Sequence, residues 1–236
     1  MPKLTLKDRL APTPPKKLLA LDGGGIRGLI TIEMLAEMEK QLRSRTGGGP
    51  EFVLADYFDY IGGTSTGAII AAALSIGMSV DALRKFYLSS GAEMFDKAGW
   101  LRRFNYKYED EHLAAKLREV YGADTTLGSD RLRTLLLIIL RNATTDSPWP
   151  ISNNPAAKYN DLSRPDSNLR LPLWQVVRAS TAAPVYFPPE VVHVGQQSFV
   201  FQDGGITMYN NPALQLFLMS TLDAYRLNWP SGEDQM

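Results

Sequence analysis

The stretch FDYIGGTSTGAII at residues 58–70 runs a short apolar strand straight into a Gly-Thr-Ser-Thr-Gly turn and then into a helix of small residues. A fold lifts one serine hydroxyl onto a sharp strand-to-helix corner in this way. Ser65 is therefore a candidate nucleophile. Small residues on both sides let the corner tighten without a Cβ clash, and the first amides of the following helix face any negative charge that forms beside Ser65. A tight structural turn is the competing reading of the same residues.

A second glycine cluster lies about forty residues earlier. Residues 18–21, LLAL, read as a buried strand that breaks at DGGGIRG (residues 22–28), and apolar residues return at helical spacing from Leu29 to about Arg45. Gly23, Gly24 and Gly25 expose backbone N–H groups with nothing to shield them. A strand, a glycine nest and a helix start make an anion site, which an acyl-transfer enzyme uses to hold the oxyanion of its tetrahedral intermediate. A phosphate or dinucleotide loop is the rival reading. The Gly23, Gly25 and Gly28 spacing matches it formally, but Asp22 would set a carboxylate beside the phosphates and no Gly-Lys-Ser/Thr follows. Arg27 sits at the helix start, where the dipole disfavours a cation; bracing the nest, contacting a substrate head group and facing solvent are its three readings.

A nucleophilic serine needs a proton acceptor, and histidine is scarce. His112 opens a helix among acidic residues, and His193 lies on the polar side of an alternating strand. Both precede the best acidic candidate, Asp203, so the Ser…Asp…His order of an α/β-hydrolase triad is unavailable with that acid. Asp203 ends the strand FVF and opens an Asp-Gly-Gly turn; Asn210-Asn211-Pro212 then starts a helix. A carboxylate at a strand end is where an open α/β sheet puts its chemistry. To act on Ser65 directly it would have to be partly desolvated or held in a preformed hydrogen bond. Capping the turn is the alternative.

Taken together, DGGGIRG (22–28), GTSTG (63–67), ASTAAPVYFPP (179–189), DGG (203–205) and NNP (210–212) resemble the patatin-like phospholipase family, over roughly residues 17–216. The resemblance implies a three-layer α/β/α sandwich with a central, mostly parallel sheet, and hydrolysis of lipid acyl esters by a Ser–Asp dyad without histidine. On this sequence Ser65 would be the nucleophile, Asp203 the base, and the Gly23, Gly24 and Gly25 amides the oxyanion hole. A general esterase or thioesterase, a phospholipase activated by a nucleotide in a defence system, and a non-catalytic lipid-binding module are the other readings of such a chain. No cofactor is implied. Two separated histidines, no cysteine and no alternating Asp/Asn loop leave no zinc or calcium pattern.

The 236 residues suit one catalytic domain at 17–229, preceded by a proline-rich arm at 1–16 and followed by a tail at 230–236. That ending is short for the family and points to a truncated chain. Lys+Arg and Asp+Glu balance at 25 each, which gives no footprint for nucleic acid. Absence of cysteine suits a reducing cytoplasm, and the arm lacks the apolar core of a signal peptide. A lipid or acyl-ester substrate and peripheral membrane contact are the expected partners, the latter through an aromatic and basic segment at 91–108. Oligomeric state leaves no trace in the sequence.

Between the motifs, helices are expected at 79–89, 109–121, 173–183 and 211–227, a buried strand at 133–141, and a hairpin joining 191–194 to 199–201. Residues 142–168, rich in proline and turn formers, read as a long surface excursion bordering the site.

Overall fold

The aliphatic runs LLAL at 18–21 and LLLIIL at 135–140 form strands that must be covered on both faces. The computed structural model describes residues 4–94 and 106–236, with side chains described outside 90–94 and 106–110, and both runs lie in one six-stranded sheet. Its strands are β1 (Leu18–Leu21), β2 (Tyr60–Thr64), β3 (Leu135–Asn142), β4 (Ser147–Ser152), β5 (Glu190–Val194) and β6 (Gln197–Asp203). The first three pair in parallel; β4, β6 and β5 join antiparallel. The helices are α1 (Leu6–Leu10), α2 (Gly28–Thr46), α3 (Thr66–Ser75), α4 (Val80–Met94), α5 (Tyr106–Tyr121), α6 (Leu173–Ser180) and α7 (Ala213–Thr221).

Alternation along β3 divides the core in two. Leu136, Ile138 and Leu140 point into a cluster built from α2 to α6, while Leu135, Leu137 and Ile139 meet Leu216 and Met219 of α7, Leu6 and Leu10 of α1, and Trp229. Helices therefore cover both faces, and the molecule is an α/β/α sandwich. Among the described residues no helix is long and apolar enough to cross a membrane.

Pairing along β3 also fixes where the sheet is interrupted. Residues 137–139 pair with both β2 and β4, and residues 140–142 with both β4 and β6. Since a strand has only two edges, β2 and β6 share the edge opposite β4. One runs parallel to β3 and the other antiparallel, so they converge end to end, Thr64 opposite Ile139 and Asp203 opposite Leu140.

Three expectations change. Part of the excursion is strand β4, which carries Pro148 and Pro150; as an edge strand it tolerates their missing N–H groups. Its continuation leaves at the start of β3, where Asn153 N–H donates to the Leu136 carbonyl, and later brings Asp166 against Gly195 in the β5–β6 turn. Helix α6 stops at Ser180 rather than 183, because Pro184 bars helical geometry at Ala183 and the Ala182 carbonyl turns to accept the Asp203 N–H at 3.0 Å. Helix α7 stops at Thr221 rather than 227, where Leu222 goes extended and the Trp229 N–H folds back onto the Ser220 carbonyl at 2.9 Å. The aromatic and basic segment expected at a membrane falls on residues 95–105 and their neighbours, outside the described residues.

Candidate active site

The meeting of β2 and β6 brings Ser65 and Asp203 together across 138 residues of sequence. Ser65 Oγ donates to Asp203 Oδ2 at 2.6 Å. Ser65 is held at φ 55°, ψ −123°, a region that residues with a Cβ rarely occupy. The corner is tight because strand and helix touch through glycines: a Cβ at Gly63 would lie 2.1 Å from the Gly67 carbonyl oxygen, and one at Gly67 the same distance from the Leu21 carbonyl oxygen.

At the sheet interruption the Ile139 carbonyl receives a side-chain donor. Ser180 Oγ donates to it at 2.7 Å and accepts the Ser65 N–H at 2.9 Å. One buried hydroxyl thus ties the Ser65 corner to β3, and the Ser65 amide is already engaged. Sequence reasoning gave Ser180 no role; the motif ASTAAP contains it without indicating what it would reach.

Asp203 is 5% exposed. Burial pushes its carboxyl above the ordinary carboxylate value, opposed by the hydrogen bonds from Ser65 and the Gly205 amide and by the charge of Arg178. Its second oxygen, Oδ1, accepts the Gly205 N–H at 2.6 Å, so Asp203 caps its turn and accepts from Ser65 at the same time. Arg178, fully buried on α6, is a second residue that the sequence did not single out.

The glycine nest packs against this pair: a Cβ at Gly23 would sit 3.1 Å from Ser65 Cβ. Gly25 adopts φ 58°, which favours glycine, and its carbonyl accepts from Thr66 Oγ1 at 2.9 Å. The expectation of three free amides narrows to two. Gly23 N–H donates to the Asn210 carbonyl at 3.3 Å, whereas the Gly24 and Gly25 N–H groups have no acceptor among the described residues. Asn210 Nδ2 in turn approaches the Gly23 carbonyl at 3.4 Å, and Asn211 Nδ2 donates to Asp22 at 2.8 Å. The Asn-Asn pair therefore fastens the nest to the loop that follows Asp203. Arg27 Nε donates to the Gly24 carbonyl at 3.3 Å from an exposed position, the geometry of a brace.

Neither histidine hydrogen-bonds to Ser65 or Asp203. His193 lies on the exposed side of the β5–β6 hairpin with Nδ1 2.8 Å from Ser198 Oγ, and His112 lies on α5. Among the described residues no three histidine or acidic side chains gather in a way that would hold a metal ion.

A family model described as patatin-like phospholipase matches residues 19–217. The chain is 32% identical over 210 residues to an intracellular phospholipase A2 of Caenorhabditis elegans, covering 88% of this chain and 17% of that protein. It is 30% identical over 223 residues to a cGAMP-activated phospholipase of Vibrio cholerae, covering 86% and 59%, and 32% identical over 218 residues to patatin-like protein 2 of Oryza sativa, covering 84% and 51%. The chain spans less than two thirds of the length of each.

Proposed function

Because this chain belongs to the patatin-like phospholipase family, we propose that it hydrolyses acyl esters of lipids, with Ser65 as nucleophile and Asp203 as base. The observation that carries this reading is the 2.6 Å hydrogen bond between Ser65 and a buried carboxylate, beside a nest with two amides that have no acceptor among the described residues.

Ser65 Oγ attacks the ester carbonyl carbon while its proton passes to Asp203 Oδ2. The carbonyl oxygen becomes an oxyanion held by the Gly24 and Gly25 N–H groups. Collapse breaks the bond to the leaving alkoxide, which takes the proton back from Asp203 and departs as an alcohol or lysolipid. Asp203 next removes a proton from water, the hydroxide adds to the acyl-serine, and the second collapse frees the fatty acid while Ser65 regains its proton. Partial desolvation lets Asp203 serve as base without histidine.

The deciding experiment is a mass-spectrometric product screen against phospholipid, galactolipid, triacylglycerol, short-chain ester and acyl-thioester, with Ser65→Ala as blank. The Vibrio relative's name supplies a further arm, the same screen with a cyclic dinucleotide added. Fatty acid and lysolipid that vanish in a folded Ser65→Ala protein are expected. Turnover limited to short esters or thioesters would reassign the substrate, and full activity of Ser65→Ala would remove the nucleophile.

A further inference from the structure

We propose that the loops surrounding Ser65 form a docking surface that seats the protein on a zwitterionic phospholipid bilayer. The inference rests on the proposed lipid hydrolysis and names the physical state in which the substrate is met.

Loops that build the site also hold large apolar side chains out to solvent. Ile26 follows the nest directly and is 43% exposed; Ile206 and Met208, between Asp203 and Tyr209, are 50% and 81% exposed; Tyr186, in the turn after α6, is 58% exposed. Ile30 and Leu214 are exposed on the first turns of α2 and α7. Each segment is anchored to the site. The Ala182 carbonyl accepts the Asp203 N–H, Thr64 Oγ1 donates to the Tyr209 carbonyl at 2.8 Å, and Ile26 neighbours Gly25. Apolar exposure and the reacting serine therefore belong to one end of the sheet.

Charge identifies the occupant. The chain holds 25 basic and 25 acidic residues, yet residues 60–80, 179–189 and 204–222 contain none, and residues 23–32 contain only Arg27. Asp22, the nearest exposed carboxylate on the nest, is tied to Asn211. A protein partner is usually met by an apolar centre with a polar, charged rim. These loops supply apolar side chains, one exposed guanidinium (Arg27) and one exposed carboxylate (Asp22), a local charge balance that complements an interface of zero net charge. Residues 153–170, which carry Lys158, Asp161, Arg164 and Asp166, lack this character.

The test measures co-sedimentation with dioleoylphosphatidylcholine vesicles, using the full chain as Ser65→Ala so that no lipid is consumed. Binding should fall at least about tenfold in Ile206→Glu/Met208→Glu. It should change less than about twofold when sodium chloride rises from about 0.1 to about 0.5 M, because insertion rather than charge holds the protein. Leu162→Glu, at a leucine as exposed as Ile206 but outside these loops, should bind as the parent does. Should the double variant be unstable, Met208→Asp alone makes the comparison at the most exposed position. Undiminished binding by a folded double variant, equal loss in Leu162→Glu, or a self-association removed by the double variant in a protein that ignores vesicles would each overturn the proposal. The two readings fail separately. Ser65-dependent turnover of soluble esters without vesicle binding removes the docking surface alone, and vesicle binding without Ser65-dependent turnover removes the hydrolase alone.

Discussion

Where β1, β2 and β3 begin, hydrogen bonds close around one buried guanidinium; where β1 and β2 stop, two amides have no acceptor among the described residues and a carboxylate is buried at a cost. At the first end Arg9 of α1 is 1% exposed and donates to Asp59 at 2.9 Å, to the Phe58 carbonyl at 2.7 Å, to the Arg133 carbonyl at 2.9 Å and to the Ala55 carbonyl. Asp59 accepts the Lys17 N–H as well, and Asp56 pairs with Arg133. At the second end Ser65 occupies a strained backbone region, burial raises the Asp203 pKa, and the Gly24 and Gly25 N–H groups have no acceptor among the described residues. The contrast separates two uses of polar groups. Buried charge that is fully partnered holds chain segments in register. Strain and unmet hydrogen bonding, which lower stability, persist where a ligand would relieve them.

Breaking the site end should therefore lower rate without lowering stability. Asp203→Asn is expected to cut kcat by about 10²–10⁴, since it removes the proposed proton acceptor and leaves the Gly24 and Gly25 amides in place. Its Tm at pH 7 should be no lower than that of the parent. The sign follows from burial: with the Asp203 pKa raised above its ordinary 3.8, the stability this group contributes is fully present below that pH and is lost as pH rises through the folded-state pKa. Removing the ionisation therefore helps most near neutrality, and the advantage should shrink toward pH 4. Activity runs the other way. The base must be ionised, so the acid limb of kcat/KM on a soluble ester should lie above the ordinary carboxylate range. Scanning calorimetry against pH and a pH–rate profile check both; a clearly lowered Tm at pH 7 would put Asp203 with the structural charges of the other end.

The converse change belongs at that other end. Arg9→Ala leaves Asp59 buried without its ion-pair partner and should cost about 3–5 kcal/mol. For a chain of this size Tm should then drop about 2–4 °C per kcal/mol. Activity per folded molecule, measured well below the lowered Tm, should stay within about twofold of the parent. A Tm shift below about 2 °C would mean that solvent replaces the lost partner, and a specific loss of kcat would mean that the two ends are coupled.

Much of this was legible along the chain, because glycine clusters ended apolar runs at the places where strands give way to helices. Residues 18–21 and 60–64 and the helices after them follow from that punctuation, whereas the pairing of Ser65 with Asp203 was implied only by the family resemblance of the motifs taken together. Strand β4 was hidden since Pro148 and Pro150 carry a loop signature, and only its edge position makes them acceptable. The ends of α6 and α7 were overrun because apolar spacing continues through residues whose backbone groups are claimed by β6 and by Trp229. Gly23 resembled its neighbours until Asn210 took its amide. The roles of Ser180, Arg178 and Asn210 depend on two strands meeting along a third, a relation no local pattern encodes.

Ser180 offers the finest test of the contrast, because it is a fully partnered buried group placed at the reactive end. Ser180→Ala removes the acceptor of the Ser65 N–H and the donor to the Ile139 carbonyl, both next to the strained corner. Leaving buried backbone groups unpaired costs about 1–3 kcal/mol. If Ser180 only stabilises the fold, that loss appears in Tm and kcat is kept. If it positions the nucleophile, part of the loss is felt as misalignment of Ser65 with Asp203, and kcat should fall about tenfold while KM stays within about twofold. The rate of labelling by a fluorophosphonate should fall with kcat, since it reports the same attack by Ser65. Ser180→Thr keeps the hydroxyl and should recover most of the labelling rate even if its added methyl lowers Tm. The acid limb of kcat/KM should stay where the parent has it, because Asp203 retains its burial, its Gly205 bond and the nearby Arg178 charge. A limb displaced along with kcat would instead mean that Ser180 acts through the base, and the corner would lose its separate part in setting the rate.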